Sequence, residues 1–101
     1  MAGSRIRAVM DIDFDEEDER LLQRITRNPE IYGGKPIIRG HRLAVEHVLG
    51  MMVGGSTPQE IVEHYDWLEI DDVTACLLYA LRVLEHEHDA ATAAAPSAVA
   101  R

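Results

Sequence analysis

Ile31-Tyr32-Gly33-Gly34-Lys35-Pro36-Ile37-Ile38-Arg39-Gly40-His41-Arg42 divides this chain into two unlike halves. Its three glycines and one proline mark backbone positions that need unusual or fixed torsions. Gly33-Gly34 reads as a turn and Gly40 as the end of a strand, with the β-branched pair Ile37-Ile38 extended between them. Upstream, Ile25-Thr26 is another β-branched piece, followed by the turn signal Asn28-Pro29, because the residue before a proline is pushed out of the helical region. The two pieces predict an irregular antiparallel hairpin. Such a hairpin is marginal alone and must lean on helices or on another copy.

Downstream, the hydrophobic period changes from two to that of a helix. Val45, Val48, Leu49 and Met52 recur at i, i+3, i+4 and i+7, and Gly54-Gly55 terminates the pattern. Thr57-Pro58-Gln59-Glu60 is a strong start signal for a second helix, with Thr57 as cap, Pro58 at the first helical position and Glu60 closing a capping box. Ile61, Val62 and Tyr65 would face inward from it, and Trp67-Leu68 would plug the core from the connector. A third helix is expected from about residue 70 to about residue 86, with Val73, Cys76, Leu77, Ala80 and Leu84 as its core stripe. Leu78, Leu81 and Val83 widen the apolar surface beyond that stripe, so a second face is expected to pack on another subunit or partner. Three helices joined by short turns have the outline of a helix-turn-helix domain.

Upstream of the hairpin, Ile6, Ala8, Met10, Ile12 and Phe14 alternate with mostly charged residues, which predicts a half-buried strand. Asp15 then caps a short, acid-fronted helix whose apolar side is Leu21, Leu22 and Ile25. Beyond Asp89 the Ala-rich tail continues the last helix briefly, and residues 96–101 are expected to be disordered.

The 101 residues suit one domain, and 47% apolar with 28% charged residues is ordinary for a globular protein. The single cysteine excludes an internal disulfide and fits a reducing cytoplasm; there is no signal-peptide pattern and no membrane-spanning run. The net charge of −8 is unevenly placed. Residues 1–42 hold eight Lys/Arg against eight Asp/Glu, whereas residues 43–101 hold two against ten. Any nucleic-acid contact therefore belongs to the first half, and the second half suits a basic protein partner.

Few motifs point to chemistry. Gly33-Gly34-Lys35 fails as a phosphate loop, since Pro29 stands at the first glycine position and Pro36 replaces Ser/Thr. His86 and His88 point to different helix faces and cannot share one metal; His41, His47 and His64 are scattered. Cys76 lies mid-helix with no neighbouring base, which reads as a small buried hydrophobe. No nucleophile–base arrangement is identifiable, so the reading is of a non-enzyme without cofactor or metal. For DNA, the outline is favourable but Glu69, Asp71 and Asp72 at the start of the third helix have the wrong sign. Lys35, Arg39, His41 and Arg42, helped by Arg24 and Arg27, are the better DNA- or partner-binding candidates; equally, these cations can serve as edge protection for the hairpin.

Asn28-Pro29, then Gly33-Gly34-Lys35-Pro36-Ile37-Ile38-Arg39-Gly40-x-Arg42, a helix, Gly54/Gly55 and Thr57-Pro58-Gln59-Glu60-Ile61 together resemble the domain-of-unknown-function 433 (DUF433) family. Tyr65, Leu68, Asp72-Val73 and Tyr79-Ala80 continue the pattern. The resemblance covers about residues 24–87, leaving 1–23 as an N-terminal extension and 88–101 as a flexible Ala-rich tail. It implies a mainly α fold: a three-helix, homeodomain-like or winged helix-turn-helix with a short N-terminal β-hairpin, often dimeric. It also implies an antitoxin of a type II toxin–antitoxin pair that neutralises a PIN-like ribonuclease toxin. Operator DNA binding would accompany that role, and the alternative is a stand-alone dimeric DNA-binding regulator. Under the first reading Arg39 or Arg42 would enter the toxin's carboxylate-lined metal site. His41 and Glu69 depart from the family pattern, which has Thr or Ser at the first position and a Ser/Thr cap at the second. The second departure would cost the third helix about 1 kcal/mol.

Overall fold

A computed structural model describes residues 14–93, with side chains described through Glu87. The strand expected over residues 5–14 therefore lies almost wholly outside the described residues, as does the tail over 96–101. The order of elements is α1 (Glu16–Leu22), β1 (Ile25–Thr26), β2 (Ile37–Ile38), α2 (Val45–Val53), α3 (Pro58–Glu63) and α4 (Ile70–Ala93), with one 3-10 turn at Tyr32–Gly34. The protein is mainly helical, with four helices and one two-stranded antiparallel sheet.

Each helix starts or stops where a side chain or a turn satisfies its free backbone groups. Asp15 caps α1 by accepting the Asp18 N–H at 2.9 Å, and Asp18 answers by accepting the Asp15 N–H at 3.1 Å. Thr57 and Glu60 form the same reciprocal box on α3, at 3.1 and 2.9 Å. Alanine at the cap of α2 has no acceptor, so only half a box forms: His47 Nδ1 accepts the Ala44 N–H at 3.1 Å. The end of α2 is a Schellman motif, with Ser56 N–H on Met51 O and Gly55 N–H on Met52 O, both at 3.0 Å. Gly55 sits at φ 107°, which is why glycine stands there.

The hairpin pairs Ile25 with Ile38 and Thr26 with Ile37. On its other edge, β2 meets the chain again. The Ile38 N–H donates to Leu43 O at 3.1 Å, and Ile37 bridges Ala44. The return is a tight turn closed by His41 N–H on Ile38 O at 2.8 Å, with both central residues left-handed, Arg39 at φ 44° and Gly40 at φ 76°. Ile37 and Ile38 are thus held on both edges and buried on both faces. Ile38 joins the main core with Leu43, Val45, Val48, Ile61, Leu68, Val73 and Cys76, while Ile37 packs with Ile31 and Ala44. This is how a two-residue strand stays folded.

The core stripe of α4 differs from the expected one. Asp72, Val73, Ala75 and Cys76 are fully buried, but Leu77 is 40% exposed and Leu84 58% exposed. The helix is rotated relative to the hydrophobicity pattern because the Asp72 carboxylate points inward. Burial pushes the Cys76 thiol up to about 12, with the nearby Asp72 charge adding to the effect.

Candidate functional site

At the centre of the basic stretch lies an ion cluster around one buried carboxylate, Asp72, rather than a row of free cations. Asp72 Oδ1 accepts Arg39 Nε at 2.9 Å and Arg24 Nη1 at 3.0 Å; Oδ2 accepts Arg39 Nη2 at 2.7 Å and the Glu69 backbone N–H at 2.8 Å. All four acceptor positions of a fully buried carboxylate are filled. The fourth bond also supplies the missing cap of α4, because Asp72 sits where the reciprocal acid of a capping box belongs. The Glu69 side chain instead accepts Arg24 at 2.8 Å, and Asp71 lies 3.7 Å from the same guanidinium.

Electrostatics in this cluster are decided by pairing. Burial alone would raise the pKa of Asp72, but the Arg39 hydrogen bonds, the Glu69 N–H, Arg24 and the Arg39 charge outweigh it, and the group is held below its ordinary value. Hydrogen bonds to Glu69 and then Asp72 raise Arg24, and hydrogen bonds to Asp72 raise Arg39. The left-handed backbone at Arg39, unusual for a residue with a Cβ, is held by this fork and by a bond from Arg39 Nη2 to Trp67 O at 2.8 Å. The His41 ring stacks on Trp67 at 3.7 Å between centroids and 4° between planes.

The sequence-derived candidates therefore fall into three places. Arg24 and Arg39 converge on Asp72, with His41 beside them on Trp67. Arg27 bridges Gly34 O and the Tyr79 hydroxyl, both at 2.8 Å, and Lys35 pairs with Glu46 at 3.0 Å. Arg42 is exposed; its carbonyl accepts the Tyr32 hydroxyl at 3.2 Å, while its guanidinium makes no ion pair with any described residue. Asp72, expected at the start of the third helix as an acid of the wrong sign for DNA, is the hub of the cluster. One signal could have found it. Asp72 shares a helix face with Cys76 and Tyr79, at i+4 and i+7, and a charge on a core face requires a partner.

The apolar candidates separate as well. Leu78 is half-buried, Leu81 is 39% exposed and Val83 is 43% exposed. Leu77 and Leu84, expected inside, join Leu81 on the outer side of α4. Next to them a groove of about 340 Å³ is lined by Pro36, Val45, Leu49, Tyr79, Val83 and Leu84 among others, with Lys35 and Glu46 at its rim. Among the described residues no group of three or more His, Cys, Asp or Glu is placed to hold a metal, and no helix is long and apolar enough to cross a membrane.

A family model described as "Protein of unknown function (DUF433)" matches residues 25–80, which span both strands, α2, α3 and the first half of α4. The match includes Arg39, Asp72 and Trp67, and it excludes α1 and Leu84. No curated protein and no solved structure matches the chain.

Proposed function

Since this chain belongs to the DUF433 family, we propose that it is an antitoxin-like protein that acts by association, binding and neutralising a PIN-like ribonuclease toxin. The observation that carries this reading is the outer face of α4, where Leu77, Leu81 and Leu84 stand exposed together. A helix face that is apolar in water is a surface for another protein. Arg42 is the hairpin arginine suited to a toxin's carboxylate-lined metal site, because Arg39 is already committed to Asp72. The winged or homeodomain-like helix-turn-helix description of α2, α3 and α4, and a homodimeric state, belong to the same proposal.

The DNA-binding regulator draws less support. Of its cationic candidates, Arg24, Arg27, Lys35 and Arg39 are already engaged with acids or carbonyls within the fold. Contacts to phosphate from these four would have to break those bonds, which leaves Arg42 and His41 of the named candidates.

Co-expression with the product of the adjacent gene tests the proposal. The expected result is growth arrest by that product alone, restored growth when this chain is present, and a complex that co-purifies. An adjacent product that is harmless alone, or a toxic one that neither binds this chain nor is relieved by it, would overturn the reading.

A further inference from the structure

The exposed stripe on α4 has the spacing of a coiled-coil seam. Ile70, Thr74, Leu77, Leu81 and Leu84 follow one another at intervals of four, three, four and three, the a/d period of 3.5. Ile70 is 42% exposed, and Leu77, Leu81 and Leu84 are 40%, 39% and 58% exposed, so the seam faces outward along about 21 Å of helix. The inward face, with Asp72, Val73, Cys76 and Tyr79, is separate and already packed. The seam thus repeats a pattern that the protein's own core does not use.

The charges flanking the seam identify its occupant. At the e and g positions stand Asp71, Leu78 and Glu85, and Val73, Ala80 and Glu87. All the charged flanks are acidic. The sole cation on α4 is Arg82, which lies off the seam and is forked onto Glu19 of α1. Lys35, at the rim of the adjoining groove, is neutralised by Glu46 at 3.0 Å. A second copy laid antiparallel along the seam would set Asp71 against Glu85, and a parallel copy would leave Glu85 and Glu87 without a cation to face. We infer that the outer face of α4 docks an amphipathic helix of another protein, whose apolar a/d residues are flanked by Lys or Arg. The groove beside Leu84, lined by Pro36, Val45, Leu49 and Val83, receives an apolar side chain from that helix.

This deepens the association reading by naming the partner's chemistry, and its test uses no ribonuclease, so either can fail alone. The probes are two synthetic helical peptides with Leu at a and d, one with Lys and the other with Glu at e and g. A third peptide keeps the Lys flanks but carries Ser at a and d. Each is titrated against the full chain by fluorescence anisotropy at low and high salt, and the mass of the chain alone is measured by sedimentation. The expected result is binding of the Lys-flanked Leu peptide at least about tenfold tighter than of either other peptide, weakened by salt. Leu81→Glu removes that preference while its circular dichroism matches that of the native chain, and Glu63→Gln, an exposed position on α3 outside the seam and the groove, keeps the preference. Equal affinity for the three peptides would overturn the inference. So would a dimer of the chain that Leu81→Glu converts to a monomer, since the occupant would then be a second copy.

Discussion

Asp72→Asn lowers the unfolding free energy by about 3 kcal/mol at neutral pH, the scale of leaving a buried ion pair without one partner. The amide keeps the shape of the side chain but loses its charge, and it turns an N–H2 donor toward donors of Arg24 and Arg39. Two guanidiniums then lie together with only the exposed Glu69 and Asp71 to balance them. The cap on α4 is lost as well where the amide nitrogen takes the place of Oδ2, which receives both the Glu69 N–H and Arg39 Nη2. Urea denaturation followed by circular dichroism reads the loss as a shift of midpoint at constant slope.

The same variant predicts a pH dependence. Burial pushes Asp72 up, and the arginines with the Glu69 N–H more than reverse it, so the folded pKa lies below the unfolded one. The unfolded chain therefore binds more protons in acid. The stabilisation from Asp72 is complete above the ordinary aspartate value of about 3.9 and is lost as pH falls through the lower, folded value. The stability gap between the native chain and Asp72→Asn should stay level from about pH 7 to 5 and narrow below about pH 4. Arg24 and Arg39, both raised, remain charged throughout and add no slope of their own.

Ile38→Ala costs about 3 kcal/mol, within the range for truncating a fully buried isoleucine. Ile38 is completely buried against Leu43, Val45, Val48, Ile61 and Val73, so its removal opens a cavity shared by the hairpin, α2, α3 and α4. The loss should appear in one cooperative transition, monitored by helix signal and by Trp67 fluorescence together. Leu81→Ala, at 39% exposure, serves as the contrast and should change stability by well under about 1 kcal/mol.

Punctuation carried most of what the sequence disclosed about the fold. Asp15, Thr57-Pro58-Gln59-Glu60 and Gly54-Gly55 state helix ends through local chemistry, and each end lies where those residues put it. The hairpin was legible for the same reason, since Asn28-Pro29, Gly33-Gly34 and Gly40 leave two short β-branched pieces facing one another. The rotation of α4 was not legible from hydrophobicity. Leu77 and Leu84 outscore Asp72 on any apolar scale, so a pattern count turns them inward. The true phase depends on Arg24 and Arg39, which arrive from 48 and 33 residues away along the chain. A long-range ion cluster sets it, and local period cannot report such a contact. The candidate site shifted accordingly: arginines read as ligands for something else hold α4 in place, and leucines read as core form the open surface.

Thiol labelling tests that rotation of α4 most directly, since it underlies the whole account of this protein's surface. Cys76 is the sole native thiol, fully buried and pushed up to about 12, so the folded chain should not react with a chromogenic disulfide reagent at mildly alkaline pH. The chain unfolded in urea should react at once. The Leu84→Cys variant, at a position the hydrophobic pattern turns inward and the fold leaves 58% exposed, should give one rapidly labelled thiol per folded chain, with Cys76 still protected. Rapid labelling of Cys76 in the folded native chain, or protection of the thiol introduced at position 84, would contradict the account.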